Sequence, residues 1–129
     1  MPLVSVIITT RNRAKLLQEA LESVLDVEQQ GFELEIIVVD DGSTDDTAAM
    51  IARYPVIYVR TNGIGMARAR NTGLMMANGE FLTLLDDDDV WLPSNVVAQL
   101  AVFAQHPEYG VVHAQSQLVH ADCTPFGTP

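Results

Sequence analysis

The chain has 129 residues, of which 48% are hydrophobic, and a formal net charge of −10 at pH 7. This is the size and composition of one globular domain that can bury a core without disulfides. The acidic balance argues against nucleic acid or an anionic lipid surface as a partner of the whole chain. No apolar run is long enough for a transmembrane segment, no basic leader precedes the first strand, and the single Cys123 cannot form an internal disulfide. We therefore expect a cytoplasmic protein.

The first half of the chain alternates buried strands with helices. Residues 3–9 are nearly all apolar and β-branched, as in a buried parallel strand, and apolar residues at helical spacing predict a helix over residues 14–27. A second buried strand at 34–39 ends in Asp40 and Asp41. Ser43 followed by Asp46 predicts a capping box that opens a short helix over residues 44–53.

The second half continues the same alternation. A short strand at 56–59, a glycine loop at 61–65 and a helix at 66–77 precede an apolar strand at 81–85, which we expect to be buried. Pro93 is placed to begin a helix that ends near residue 105, and a last strand is predicted at 110–118. This order predicts an α/β fold with a mostly parallel sheet and helices on both faces.

The end of the chain at Pro129 follows the last predicted strand without a helix to cover it. We therefore expect residues 1–129 to be a single domain that is truncated. An unfinished domain would expose an apolar face, through which two copies could pair as a homodimer.

Four consecutive carboxylates, Asp86 to Asp89, follow the strand at 81–85. A solvated charge run is the simplest explanation. A site is favoured because a parallel strand delivers the run to the carboxyl edge of the sheet, where open α/β folds bind ligands. Carboxylates are hard ligands of the kind that Mg²⁺ or Mn²⁺ accepts together with substrate phosphates. A calcium loop is excluded, because Trp91 and Val97 stand where that loop needs Gly and Glu.

A second acidic strand end is formed by Asp40 and Asp41, which should reach the same edge of the sheet. The segment could be only a helix cap. Alternatively, one cluster could accept a hydrogen bond from the ring N–H of uracil or guanine while the other holds a metal. Basic residues in the loops after the strands would balance a diphosphate at this edge. They are Arg11, Arg13 and Lys15 after the first strand, and Arg60, Arg68 and Arg70 around the glycine loop.

Two further patterns are weaker. The glycine loop resembles a dinucleotide fingerprint, but Arg68 stands at the third glycine position and the loop follows the third strand, so it could at most take up a phosphate. Arg68 and Arg70 would project about 200° apart on a helix, so one should be a surface charge. His106, His113 and His120 recur every seven residues, which on a strand places neighbours on opposite faces, so no metal triad is expected.

Four segments together resemble the inverting glycosyltransferases of family two, which have the Rossmann-like GT-A fold. The resemblance covers about residues 3–118 in order. The segments are Val4-Ser5-Val6-Ile7-Ile8-Thr9-Thr10-Arg11-Asn12-Arg13, Glu35-Ile36-Ile37-Val38-Val39-Asp40-Asp41-Gly42-Ser43-Thr44-Asp45, Ala69-Arg70-Asn71-Thr72-Gly73 and Gly79-Glu80-Phe81-Leu82-Thr83-Leu84-Leu85-Asp86-Asp87-Asp88-Asp89.

The resemblance implies a site for a nucleotide-diphosphate sugar, with a UDP-sugar favoured. By matching position, Thr9 and Arg11 would line the nucleotide pocket and Asp41 would contact the base. Arg70 would lie near the ring or the phosphates.

The resemblance also implies a site for Mn²⁺ or Mg²⁺. Asp86 and Asp88 would be the outer pair of the family's Asp-x-Asp motif. Asp88 would be the direct metal ligand, and Asp86 or Asp87 would lie toward the ribose. Because four acids are contiguous, this register could shift by one residue.

Sugar transfer also needs a base that deprotonates the acceptor hydroxyl. In this family the base is an Asp or Glu of the acceptor-binding half, which would lie beyond Pro129 and would bind the glycan, lipid or other acceptor. Asp122, in the tail, is the only acid after Glu108 and is not a candidate. The whole protein could be peripheral to a membrane.

Two alternatives remain for the chain itself. It could bind a nucleotide without turnover. It could also resemble a phosphoacceptor receiver domain, but such a domain needs a lysine at a later strand end, and Lys15 follows the first strand.

Overall fold

The computed structural model describes residues 1–127, so Pro129, the predicted unfinished end of the domain, lies outside them. The chain divides into two compact units, of which the first is Met1–Pro93 and the second begins at Ser94. The elements in chain order are β1 (Leu3–Thr10), α1 (Ala14–Leu25), β2 (Glu33–Asp40), α2 (Thr47–Ile51), β3 (Ile57–Arg60), α3 (Met66–Met76), β4 (Phe81–Asp86) and α4 (Asn95–Gln105). No helix among these residues is both long and apolar enough to cross a bilayer.

The first unit is built on a parallel sheet in the order β3-β2-β1-β4. At its carboxyl edge, Thr9 lies in register with Asp86 on one side, and Thr10 with Asp40 on the other. Asp40 in turn pairs with Arg60 at the end of β3. The parallel register therefore brings the acidic ends of β2 and β4 to the same edge, as the sequence predicts.

Helices pack on both faces of the sheet, which confirms the predicted α/β fold class. On one face, α1 and α2 cover a core of alternate strand residues. This core consists of Val6, Ile8, Leu17, Ala20, Leu21, Val24, Ile36, Val38, Met50, Ile51 and Leu85. On the other face, Ala69 of α3 packs with Ile37 and Val39.

Small residues allow α3 to lie close to the sheet. A Cβ atom on Gly73 would lie only 2.5 Å from Cγ2 of Ile7 and 3.2 Å from Cγ2 of Val39. The glycine therefore sets the distance between this helix and the strands that carry the site.

The predicted helix at 44–53 is too long, and its capping box is wrong. The helix α2 begins at Thr47, and no side chain caps it from Asp46. The Ser43 hydroxyl instead accepts a hydrogen bond from the Asn12 N–H (2.8 Å), and the Asp45 carboxylate accepts one from the Thr47 N–H (3.1 Å). Since Asp45 bonds two residues ahead, the chain makes a turn where a helix was expected.

The expectation that residues 81–85 form a buried strand is also wrong for part of the strand. Leu85 is buried, but Leu82 and Leu84 are 54% and 50% exposed. Among the described residues, β4 lies at an edge of the sheet, and side chains alternate along it. Only one of its faces is therefore covered.

The second unit differs from the sequence prediction in two ways. The helix α4 begins at Asn95, two positions after Pro93. Residues 111–118 form no strand, and Val111 is 81% exposed. A strand needs a neighbour to satisfy its backbone groups, and the sheet of the described residues does not include this segment. A single antiparallel bridge between Val119 and Pro125 closes a turn instead.

Candidate functional site

Strand alternation sorts the polar side chains at the carboxyl edge into two sets. Three of them lie toward the face covered by α1, namely Thr10, Asp40 and Asp87. Each lies two positions after a strand residue of the core on that face, and Thr10 and Asp87 bond to each other. Thr9, Asp41 and Asp86 lie toward the face covered by α3, where Asp41 and Asp86 bond to α3 and its preceding loop. Adjacent residues with the same chemistry thus have different neighbours.

The loop after β1 is tied to the loop after β2 by Asn12. The Asn12 backbone has φ 53°, a left-handed conformation that Asn tolerates better than most residues. Its side-chain oxygen accepts hydrogen bonds from the N–H groups of Thr44 (2.7 Å) and Asp45 (3.3 Å). These bonds join the two loops, a role that was not predicted for Asn12 from the sequence.

Asp40 is fully buried and engaged by its own surroundings. It accepts hydrogen bonds from the Ser43 N–H (2.8 Å) and the Tyr58 hydroxyl (2.6 Å). The guanidinium of Arg60 lies 3.6 Å from its Oδ2. Burial and the bond to Asp40 raise the pKa of the Tyr58 hydroxyl. Asp40 therefore holds the β2 and β3 ends together.

Asp41 holds the glycine loop that precedes α3. Its Oδ1 accepts bonds from the Thr61 hydroxyl (2.6 Å) and the Ile64 N–H (2.8 Å), and its Oδ2 accepts one from the Gly65 N–H (2.9 Å). The Thr61 bond, the two backbone bonds and the charge of Arg11 outweigh burial and hold the pKa of Asp41 below its ordinary value. Arg11 is exposed and would lie 3.6 Å from a Cβ on Gly63, so it borders the same loop.

Three carboxylates converge at the end of β4. The Asp89 N–H donates to the Asp86 carbonyl (3.1 Å) and closes a turn. Asp86, Asp88 and Asp89 are exposed, and each offers an oxygen within 4.8 Å of the other two. Partial burial and the charges of Asp88, Asp86 and Asp87 raise the pKa of Asp89. Three hard donors that repel one another suit Mg²⁺ or Mn²⁺.

The converging set differs in one member from the residues chosen from sequence. Asp89 joins Asp86 and Asp88, although only the latter two were predicted as metal ligands. The contiguity of four acids was the available signal for Asp89, but the sequence does not show which three share one side of the turn.

Two arginines border the turn formed by Asp86 to Asp89, which we call the acidic turn. Nη2 of Arg70 lies 2.9 Å from Oδ1 of Asp86. Nη1 of Arg13 lies 3.1 Å from Oδ1 of Asp87 and 3.7 Å from Oδ2 of Asp88. Arg68 is exposed on α3. The turn therefore carries positive charge on both flanks.

Asp87 is placed differently from its neighbours in sequence. It is 3% exposed, and its carboxylate accepts hydrogen bonds from the Thr10 hydroxyl (2.9 Å) and from Arg13. Trp91, a few residues on, packs against the core beneath α1, and its backbone N–H donates to the Ser23 hydroxyl (3.0 Å). Residues 87–91 are thus bonded to the end of β1 and to α1.

Comparison with known proteins identifies similar chains. The family model for glycosyl transferase family 2 matches residues 5–125. The GalNAc(5)-diNAcBac-PP-undecaprenol beta-1,3-glucosyltransferase of Campylobacter jejuni is 37% identical over 121 residues, which cover 88% of this chain and 37% of that protein. The chain spans less than half the length of the curated relatives it matches.

Two similar solved structures contain nucleotide sugars. S. aureus TarS in complex with UDP-GlcNAc has a TM-score of 0.75 and 32% identity, covering 83% of this chain and 32% of that one. The mannosyltransferase PcManGT from Pyrobaculum calidifontis, in complex with GDP-Man and Mn²⁺, has a TM-score of 0.73 and 31% identity, covering 80% of this chain and 32% of that one.

Proposed function

This chain belongs to glycosyltransferase family 2, and from that premise we propose that it binds the nucleotide-diphosphate sugar of a metal-dependent, inverting glycosyltransferase. The observation that carries the proposal is the convergence of Asp86, Asp88 and Asp89 at the carboxyl edge of the parallel sheet. Family membership, which the sequence resemblance predicted, supports it further.

The α3 side of the edge is the proposed nucleotide pocket. Thr9 is buried at the end of β1, opposite Asp86 in register. Asp41 already accepts three hydrogen bonds, and a carboxylate has about four lone-pair sites, so one remains for a base N–H. Arg11 is exposed beside this loop and can meet a phosphate or ribose oxygen. A UDP-sugar is favoured, since the neighbour TarS binds UDP-GlcNAc.

The proposed ligands of Mn²⁺ or Mg²⁺ are Asp88 and Asp86, with Asp89 able to complete the set. A divalent cation held there supplies a Lewis acid that stabilises the diphosphate leaving group. Arg70, which is bonded to Asp86, and Arg13, which lies beside Asp88, are placed to balance the remaining negative charge. PcManGT, which was solved with GDP-Man and Mn²⁺, supports this assignment.

Turnover would need a base and an acceptor site outside the chain. In the proposed whole enzyme, an Asp or Glu beyond Pro129 deprotonates a glycan, lipid or other acceptor. The described residues by themselves would bind the nucleotide without turning it over. The proposed location is the cytoplasm, free or at the membrane surface, and two copies would pair through the half-exposed Leu82 and Leu84.

The test is calorimetric titration of the chain with UDP in Mn²⁺ and then in EDTA, with GDP as the comparison nucleotide. We expect UDP to bind in Mn²⁺, to lose most of its affinity in EDTA, and to lose it equally in Asp88→Ala. Glu19→Ala, which removes an exposed acid on α1, should bind as the wild type does. Equal UDP affinity in Asp88→Ala and the wild type would remove Asp88 from the metal site.

A further inference from the structure

Asp87 has its carboxylate turned inward at a place where its neighbours face solvent. The side chains of Asp86 and Asp88 are each 54% exposed, whereas that of Asp87 is 4% exposed. Its Oδ2 accepts a hydrogen bond from the Thr10 hydroxyl (2.9 Å), and its Oδ1 accepts one from Nη1 of Arg13 (3.1 Å). Both oxygens of Asp87 are therefore used within the protein.

The two partners of Asp87 lie at the two ends of the loop between β1 and α1. Thr10 is the last residue of β1 and fully buried, and its carbonyl accepts the Asp41 N–H (2.9 Å). Arg13 directly precedes α1, and its guanidinium also reaches Asp88 (3.7 Å). Asp87 thus joins the acidic turn to β1, the strand that lies between β2 and β4.

We propose that Asp87 is a positioning residue, and not a ligand of the metal or the nucleotide. By bonding to Thr10 and Arg13, it holds the turn so that Asp86, Asp88 and Asp89 present their oxygens together. This inference rests on the proposed function, because the ligands that it orients are those of the proposed metal site. Groups that orient metal ligands in this way commonly change metal affinity by about 10–100-fold when they are removed.

The surroundings oppose a direct role for Asp87. To reach a ligand, its carboxylate would have to release both partners. The Thr10 hydroxyl would then be buried without its acceptor, which is unfavourable in a protein interior. Four contiguous carboxylates also repel one another, and the inward pairing of Asp87 with Arg13 takes one of these charges out of the turn.

The test compares Asp87→Asn and Thr10→Val with Ser5→Ala. Ser5 is an equally buried hydroxyl of β1 at the opposite end of the strand, where it donates to Glu35 and accepts the Gly79 N–H. Each folded variant, checked by near-ultraviolet circular dichroism, is titrated with Mn²⁺ alone. We expect affinity to fall by about 10–100-fold in Asp87→Asn and Thr10→Val, and to stay unchanged in Ser5→Ala. Wild-type affinity in the first two would overturn the inference.

A loss of Mn²⁺ binding in Asp87→Asn with none in Thr10→Val would show that Asp87 is itself a ligand, and would overturn the inference as well. Hydrogen exchange in EDTA gives a readout that needs no metal. In Asp87→Asn, the Asp89 N–H, which closes the turn, should exchange faster while the Gly79 N–H is unchanged; Ser5→Ala should do the reverse. If the wild type binds no Mn²⁺, the proposed metal site fails, and unchanged exchange at Asp89 would separately overturn the positioning role.

Discussion

At the scale of single residues, the two members of each acidic pair, Asp40 with Asp41 and Asp86 with Asp87, have different surroundings. Asp40 bonds to Ser43 and Tyr58 inside the protein, while Asp41 bonds to the loop before α3. Asp87 is buried, while Asp86 faces outward beside Arg70. One carboxylate of each pair therefore supports the edge, and the other is the one that we propose to contact the nucleotide or the metal.

The lowered pKa of Asp41 predicts how stability depends on pH. A carboxyl group whose pKa is lower in the folded state stabilises the fold above its unfolded pKa of about 3.9 and loses this effect as the pH falls through the folded value. In urea unfolding from about pH 6 to about pH 3, the free energy of unfolding should fall less steeply for Asp41→Asn than for the wild type. Glu19→Gln, on an exposed surface, should follow the wild-type slope. Parallel slopes for all three proteins would contradict the prediction.

The sequence predicts where the acids gather, but not what each one does. Because parallel strands end at one edge, Asp41 and Asp86 could be assigned to that edge from their positions alone, whereas Thr9 was named from the family resemblance. The burial of Asp87 depends on Thr10, which is 77 positions away, and the turn that adds Asp89 depends on one backbone bond. Such tertiary contacts leave no local pattern.

At the scale of elements, the contact of α3 with the sheet depends on the absence of a side chain at Gly73. In Gly73→Ala, the new Cβ would lie 2.5 Å from Cγ2 of Ile7, so this buried side chain, the helix or the strand must shift. Overpacking of this kind costs about 1–3 kcal/mol, and the better helix propensity of Ala returns about 1 kcal/mol at most. We expect a net decrease in the free energy of unfolding, measured in urea.

Asn71→Ala is the control for Gly73→Ala, since Asn71 lies exposed on the same helix. Its free energy of unfolding should stay within about 0.5 kcal/mol of the wild-type value. If Gly73→Ala were as stable as Asn71→Ala, α3 would have to lie farther from the sheet than the structure places it.

Strands and helices with strong periodicity were predicted well, whereas segments decided by their neighbours were not. The bounds of β1, β2 and α3 differ from the predictions by at most two residues. Residues 110–118 look like a strand by composition, but no described strand pairs with them. The short α2 was misjudged because Ser43 bonds to Asn12, a contact between two loops.

At the scale of the whole molecule, the exposed face of β4 predicts self-association. Leu82 and Leu84 are half-exposed on one face of an edge strand in the described sheet, and such apolar edges promote pairing of chains. Sedimentation velocity should show a larger species that grows with concentration in the wild type and declines in Leu82→Gln/Leu84→Gln. The control Leu16→Gln/Leu92→Gln removes exposed leucines elsewhere in the first unit. Equal association in both double variants would place the contact outside β4.

The strand order also determines when the sheet can be completed during synthesis. β1 is made before β2 and β4, yet it lies between them in the sheet, and its partner Phe81 is made long after Val4. Until β4 emerges, one side of the central strand has none of its native hydrogen bonds, and long-range pairing of this kind is slow to form. Until residues 81–86 have been made, the nascent chain should therefore expose one edge of the apolar β1, and a chaperone that binds extended apolar segments would find its target there.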